Sequence, residues 1–331
     1  MRFTFVILLF CGLGADAQMI IKAHANYRPY AVAAQNLLLD DYSGAAAAYS
    51  LRKLDKDYTG SAIRVRRSND NAEQDIGFTS SGDLDTASLK TFTGANSGFV
   101  TTWYSQGDST AVNFTQTTAA SQPRIVNAGT VERRSGKPSV FFDGSNDFMD
   151  VTSSTAKFNF LHRAAPSQIS TVTQFGNTSN PNNYYVLLDN NGTSNTTRGI
   201  ALWYDDRSFV PRNNMIVFLI AQSVYALTAN NYCAPNQVNL LSLLQKNNVS
   251  TNLKEGRLYI NGGNEFLGTN SFGSAGETGN ASFNLRLGRT ANTSDGPMLG
   301  YVSEIIMWGG VDNTSNRTGI ENNINTYYNI W

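Results

Sequence analysis

From Ala45 onward, apolar residues recur in short runs with a period of two, and polar clusters separate the runs. Ile63 and Val65 alternate with Arg64 and Arg66, so one face of such a strand is buried and the other wet. Phe99, Thr101 and Trp103 fall on one face of the next run, with Val100, Thr102 and Tyr104 on the other. Leu258 and Ile260 alternate in the same way, as do Phe283, Leu285 and Leu287 against Asn284, Arg286 and Gly288. Between the runs lie Asp143-Gly144-Ser145-Asn146, Asn190-Asn191-Gly192, Asn261-Gly262-Gly263 and Ser294-Asp295-Gly296-Pro297. Asn-Gly and Asp-Gly tolerate the positive φ that tight hairpins need. Many short strands with regular turn signals predict an all-β sandwich or barrel. Two short helices are expected as well. Asp85 N-caps one over Thr86–Phe92. The other closes the chain, where Thr318 and Glu321 have capping-box spacing and Ile320, Ile324, Tyr327 and Trp331 form one apolar stripe.

The first residues follow a different pattern. Arg2 precedes an apolar run from Phe3 to Leu13, and Ala15-Asp16-Ala17 follows it. This reads as a secretory signal peptide over residues 1–17, with the mature chain starting at Gln18. The run is too short to anchor the chain across a bilayer. A lipidated Cys11 would need a small residue before it, and Phe10 stands there. Residues 18–39 read as a leader or docking arm, and residues 40–331 as one sandwich. Met215–Leu227 comes nearest to a membrane helix, but Gln222 and Ser223 interrupt it, so no stable membrane span is expected. Once Cys11 leaves with the leader, Cys233 is alone and the mature chain has no internal disulfide. Stability therefore rests on the core, for which 331 residues at 41% hydrophobic content suffice. Lys and Arg together equal Asp and Glu, at 25 each, so the basic excess of a nucleic-acid partner is missing.

Three segments of the second half resemble laminin G-like, concanavalin A-type domains. They are Gly136–Phe148 with its Asp-Gly turn, Gly256–Gly262 with its Asn-Gly hairpin, and Leu285–Arg289 followed by Gly300–Ile306. In the first half, Tyr42-Ser43-Gly44, Ala48–Arg52 and Phe99–Gln106 resemble the arabinofuranosidase B catalytic domain, and also uncharacterised bacterial and phage proteins. Together these likenesses span residues 40–331. They imply a concanavalin A-like jelly-roll β-sandwich of two antiparallel sheets with a short C-terminal helix. They also imply a polysaccharide or glycan as partner.

Retaining glycosidases use two carboxylates about 5 Å apart, as nucleophile and acid/base. By resemblance, the nucleophile position falls in Ile200–Phe209, where Asp205 stands in place of the family's Glu. The acid/base position reads Arg289-Thr290-Ala291, with Asp295 the next carboxylate along, and Ser105 stands where the family has Asp. The pair is incomplete, which favours a carbohydrate-binding domain without catalysis. A retaining hydrolase resembling arabinofuranosidase and a phage or virus adhesion or decoration protein are the alternatives. The expected location is secreted, extracellular or on the cell surface, with a virion as the alternative.

The candidate ligand residues are Trp203, Tyr204, Asp205, Asp206 and Arg207, because sugars offer C–H faces to rings and hydroxyls to carboxylates and guanidinium. Trp203 and Asp205 share one face of a strand and Tyr204 points to the other. Asp205 is also the candidate nucleophile. Asp143 and Asp147 form a candidate calcium site, with Asp150 nearby, against the alternative of an Asx turn at Asp143. His24 and His162 have no His or Cys neighbour suited to zinc, and Glu304 reads as a wet-face strand residue.

Overall fold

The computed structural model describes residues 37–163, 166–176, 184–193, 197–207, 215–220, 225–227, 233–248, 253–263, 265–267, 272–274 and 279–331. The proposed signal peptide, nearly all of the leader and His24 lie outside these residues.

Alternation of polarity sorts the strands into two antiparallel layers. One layer runs in the order Glu73–Ile76, Ile63–Arg67, Gly98–Trp103, Phe114–Thr115, Met149–Asp150 and Arg286–Leu287. It continues through Tyr184–Asp189, Ile200–Asp205, Met215–Ile220 and Tyr225–Leu227. In the other layer, Ala45–Ser50 and Val140–Asp143 both flank one edge of Leu299–Gly309. Ser167–Phe175, Asn239–Asn248 and Leu253–Ile260 follow on its other edge. Arg124–Asn127 bridges Gly98–Trp103 and Val140–Asp143, so the two layers join at one side.

Register explains the core. Residues directly opposite in an antiparallel pair point to the same face. Ile76, Ile63, Trp103 and Phe114 form one such row, and Met149, Leu287, Leu188 and Leu202 another, all buried. The adjacent row is Asp75, Arg64, Thr102, Thr115, Asp150, Arg286, Asp189 and Ala201. It faces away from the core and is polar over seven of its eight positions. A single phase of alternation thus separates inside from outside across eight strands.

One strand departs from the simple pattern. A register shift opposite Arg64 and Val65 skips Thr101, so Val100 and Trp103 both reach the core. Phe99 and Trp103 therefore lie on opposite faces, contrary to strict alternation, because a bulge inserts one unpaired residue.

The helices show how far local signals reach. Asp85 caps Thr86–Thr93, its carboxylate accepting the Ser88 amide at 2.9 Å. The C-terminal helix is Arg317–Tyr328, starting one residue before the expected capping box, and its N-cap Asn316 makes no side-chain cap. Glu321 instead pairs with Arg317 within the helix and is buried. Ile320 and Ile324 dock as expected, but the third buried apolar position is Tyr328. Tyr327 is half-buried, and Trp331 is 48% exposed. The helix packs on Leu38, Leu39, Ala48, Leu240, Ile306 and Trp308, a cluster on the outer side of the second layer. Leu38 and Leu39, from the short helix Leu38–Asp41, thereby tie the end of the leader to the end of the chain.

Beneath this helix lies Glu304, which is fully buried rather than wet. Arg52 clamps it with Nε to Oε2 at 2.8 Å and Nη2 to Oε1 at 3.0 Å, and the Ser50 hydroxyl donates at 2.7 Å. The Tyr328 hydroxyl reaches it at 3.3 Å, and Arg52 Nη1 donates to Asn323 at 2.9 Å. Glu304 sits in a strand covered by a helix, so both of its faces are interior and a wet face does not exist there.

Candidate functional site

The strand Ile200–Asp205 divides its residues between two environments. Tyr204 joins the main core, stacked on Phe175 at 5.0 Å and Tyr185 at 6.1 Å between ring centroids. Burial first, then Asp206 and the Cys233 thiol, push the Tyr204 phenol up. Tyr204 is therefore packing in the core, and its ring is not part of a ligand surface. Trp203 and Asp205 share the opposite face, as their spacing requires. Trp203 packs with Val186, Ala201, Val217 and Tyr184 in a small cluster separate from the main core.

Asp205 is fully buried at the end of this strand. Arg207 grips it in a fork, Nε to Oδ1 at 2.8 Å and Nη2 to Oδ2 at 2.6 Å, and the Trp203 indole N–H donates to Oδ2 at 3.2 Å. Hydrogen bonding to the buried carboxylate raises the Arg207 pKa. The structure thus joins Trp203, Asp205 and Arg207 of the candidate residues in one hydrogen-bonded group, whereas Asp206 lies towards Tyr204.

A residue not flagged by the sequence completes the group. Tyr184 stands directly opposite Asp205, and the Arg207 guanidinium lies over its ring at 4.7 Å. Burial and then the charge of Asp295 raise the Tyr184 phenol pKa, opposed by Arg207. The Ser294–Pro297 turn explains that proximity. The Val186 amide donates to the Gly296 carbonyl at 2.9 Å, and a Cβ on Gly296 would stand 2.6 Å from the Tyr184 ring. The two segments assigned by resemblance to nucleophile and acid/base thus converge on one tyrosine. Cross-strand register was the signal that could have found Tyr184, but it is not visible in a single run of sequence.

Asp189 lies further along the same sheet face and is also buried. Its Oδ1 accepts the amides of Asn191 and Gly192, each at 2.7 Å, and its Oδ2 accepts that of Ala291 at 2.8 Å. Burial pushes its carboxyl up against these bonds. Its work is to hold the Asn190–Gly192 turn and the loop after Arg289 in place.

The candidate calcium residues form a turn. Asp143 Oδ1 accepts the Ser145 amide at 2.8 Å and the Asn146 amide at 3.3 Å, and Asp147 Oδ2 accepts the Asp143 amide at 3.0 Å. Burial, then the charge of Asp143, push the Asp147 carboxyl up to about 7. Asp150 is withdrawn from this pair by a forked ion pair with Arg286, at 2.7 and 2.9 Å. Among the described residues, no group of three or more His, Cys, Asp or Glu gathers as a metal site. The residues present fit an Asx turn better than a calcium ion, which wants six to eight oxygens. His162 is buried, with Nε2 3.2 Å from the Gly279 carbonyl. Cys233 is buried too, and burial pushes its thiol up to about 12, so it is protonated at neutral pH. No helix among the described residues is long and apolar enough to cross a membrane.

No protein-family model matches the chain, and no curated protein matches it in sequence. Solved structures do match it in fold. One is an arabinofuranosidase complexed with arabinofuranosyl-α-1,2-xylobiose, at a TM-score of 0.60 and 13% identity. Another is a GH54 α-L-arabinofuranosidase soaked with a cyclic sulfate inhibitor, at 0.61 and 14%. Each match covers 87% of this chain and 64% of that one, so the chain spans less than two thirds of those structures' length. At this identity the likeness establishes the fold: the chain is an antiparallel β-sandwich of the kind those carbohydrate-active proteins use.

Proposed function

We propose that this chain is a carbohydrate-binding domain of concanavalin A-like type, without catalysis, that takes a glycan on the sheet face carrying Tyr184 and Arg207. The observation behind this reading is the state of Asp205. It is fully buried, and four N–H donors, three from Arg207 and one from Trp203, hold its two oxygens. A nucleophilic carboxylate must reach an anomeric carbon. A carboxylate already clamped by a guanidinium instead fixes that guanidinium in place. In this reading Arg207 and the Tyr184 ring form the ligand side, with Asp205 and Trp203 as the floor that positions them. Trp203, at 5% exposure, is too enclosed to be the stacking surface itself.

The runner-up is a retaining glycoside hydrolase, supported by the convergence of Asp205 and Asp295 on Tyr184. A glycan array run beside a nitrophenyl-arabinoside assay separates the two. Binding without turnover is the expected result. Turnover that vanishes in Asp205→Asn while binding persists would replace the lectin reading with the enzyme. Secretion through residues 1–17 belongs to the same proposal, with a virion-borne adhesion protein as the alternative. Intact-mass measurement of protein recovered from the medium should show a chain beginning at Gln18.

A further inference from the structure

A second surface, formed by different strands, carries an alternation of cations and rings. Cross-strand register places Glu73, Arg66, Phe99, Arg124, Phe141, Tyr301 and Gln174 in one row across seven strands. Their neighbours Val65, Val100, Ile125, Val140, Phe142 and Val302 belong to the core, so the row lies on the other face. Phe99, Phe141 and Tyr301 are each only partly buried. An arginine lies over each ring: Arg66 over Phe99 at 5.0 Å, Arg124 over Phe141 at 4.8 Å, and Arg134 over Tyr301 at 3.2 Å.

The charges of this row are not balanced. Arg124 pairs with Glu132 at 2.8 Å, and Glu73 at the row's edge pairs with Arg64 at 3.1 Å. Arg66 donates only to neutral acceptors, the side chains of Gln122 and Asn71 and the Ala119 carbonyl. Arg134 donates to the Arg133 carbonyl, and its Nε is buried without a partner. Among the described residues, neither Arg66 nor Arg134 has a carboxylate partner. Arg133, on the same hairpin, lines a cleft of about 300 Å³ with Thr79, Ser81, Lys137 and Asp83.

We infer that this row is a docking surface for an extended anionic glycan, a polyuronate in which carboxylates recur along the chain. Arg66 and Arg134 meet only neutral acceptors, so their charge is left to attract a carboxylate. The Arg66 and Arg124 strands are two strands apart, and so are those of Arg124 and Tyr301. The rings beneath the two guanidiniums without a carboxylate partner, Phe99 and Tyr301, stand three strands apart, about 14 Å along the row. One extended chain whose carboxylates recur can reach both. Single-stranded nucleic acid is the less fitting occupant, because it needs open ring faces for base stacking. Here each ring already has a guanidinium over it. The inference does not rest on the site at Asp205 and Arg207.

Affinity electrophoresis of the full chain in gels containing polygalacturonate tests it. Polygalacturonate should retard the chain, whereas neutral galactan and fully methyl-esterified polygalacturonate should not. Raising the salt should release it, since exposed charges are screened. The double variant Arg66→Gln/Arg134→Gln should bind about tenfold more weakly, the equivalent of about 1.4 kcal/mol. Lys56→Gln, which removes one charge elsewhere, should not weaken it. Equal retardation by the esterified polymer, or retention indifferent to salt, would overturn the inference. So would stronger retention by an oligonucleotide, or full affinity in a double variant that melts normally. Should the double variant melt early, the esterification and salt comparisons on the unaltered chain still decide.

Discussion

Buried carboxylates set the behaviour of single residues here, and each meets its burial differently. Asp205 is clamped by a guanidinium, whereas Asp147 has only an amide donor and the repelling charge of Asp143, with Arg124 a lesser attraction. The Asp147 carboxyl is pushed from the ordinary value near 4 up to about 7, mainly by burial. The folded chain therefore binds a proton that the unfolded chain releases. That contribution is complete below the unfolded pKa and is lost as pH rises through the folded one. The melting temperature should fall between roughly pH 4 and pH 7, and Asp147→Asn, which keeps the acceptor oxygen, should flatten that segment. A thermal melt series in which the variant keeps the full slope would refute this. Calcium added at neutral pH should leave the melt unchanged; a clear rise would restore the ion that the turn geometry disfavours. At the other site, Arg207→Gln and Tyr184→Ala should each weaken glycan binding at least tenfold in titration calorimetry, and Arg207→Gln, which leaves the buried Asp205 uncompensated, should also cost about 3–5 kcal/mol of stability. Trp203→Ala reads packing before binding, because removing an enclosed indole costs about 3–5 kcal/mol.

At the scale of elements, period-two alternation located the strands Ile63–Arg67, Gly98–Trp103, Leu253–Ile260 and Arg286–Leu287, while cap and stripe signals located both named helices. The same pattern could not show where the alternation skips or which faces become covered. The bulge at Thr101 moved Trp103 to the core beside Val100, and a bulge leaves no mark in composition. The helix stripe was displaced from Tyr327 to Tyr328 because burial follows what the helix lies on, here the Glu304–Arg52 pair and the strand Asn239–Asn248. Tyr327 instead donates to Asp83 at 2.6 Å, and Trp331 leans on the hairpin at Gly262, where a Cβ would stand 2.7 Å from its ring. Asn261 and Gly262 both have positive φ there, which the Asn-Gly pair had indicated. Removing one partner of a buried ion pair leaves the other uncompensated, so Arg52→Ala should cost about 3–5 kcal/mol. Gly319 offers an independent check on the docked helix. A Cβ there would stand 2.0 Å from the Tyr42 hydroxyl oxygen, so Gly319→Ala should destabilise unless Tyr42 swings away. Ordinarily that exchange favours a helix by about 1 kcal/mol. A higher melting temperature for Gly319→Ala would show that the Tyr42 contact is loose, and Gly319→Ala in a Tyr42→Ala background should recover the helix gain.

The two layers share one core at the scale of the whole molecule, and a single thiol can report on it. Cys233 belongs to the same buried cluster as Trp103 and Phe114 of one layer and Ile305 and Leu241 of the other. It is fully enclosed, with its thiol pushed up to about 12 by burial, so both the geometry and the protonation state oppose reaction. The chain has two cysteines, and replacing Cys11 by Ser leaves Cys233 as the only thiol. In that chain, a thiol reagent at neutral pH should leave Cys233 unmodified in the native protein and label it fully in denaturant. The labelling midpoint should coincide with the loss of tryptophan fluorescence, because the core that covers Cys233 spans both layers. Arg52→Ala lies on the far side of the second layer, yet it should move both midpoints together and speed labelling below them. Reaction in native buffer at the rate of a free thiol would show that Cys233 sits at an opening edge. Labelling well before the fluorescence change would show that the layers come apart in steps, and the single shared core would then have to be read as two.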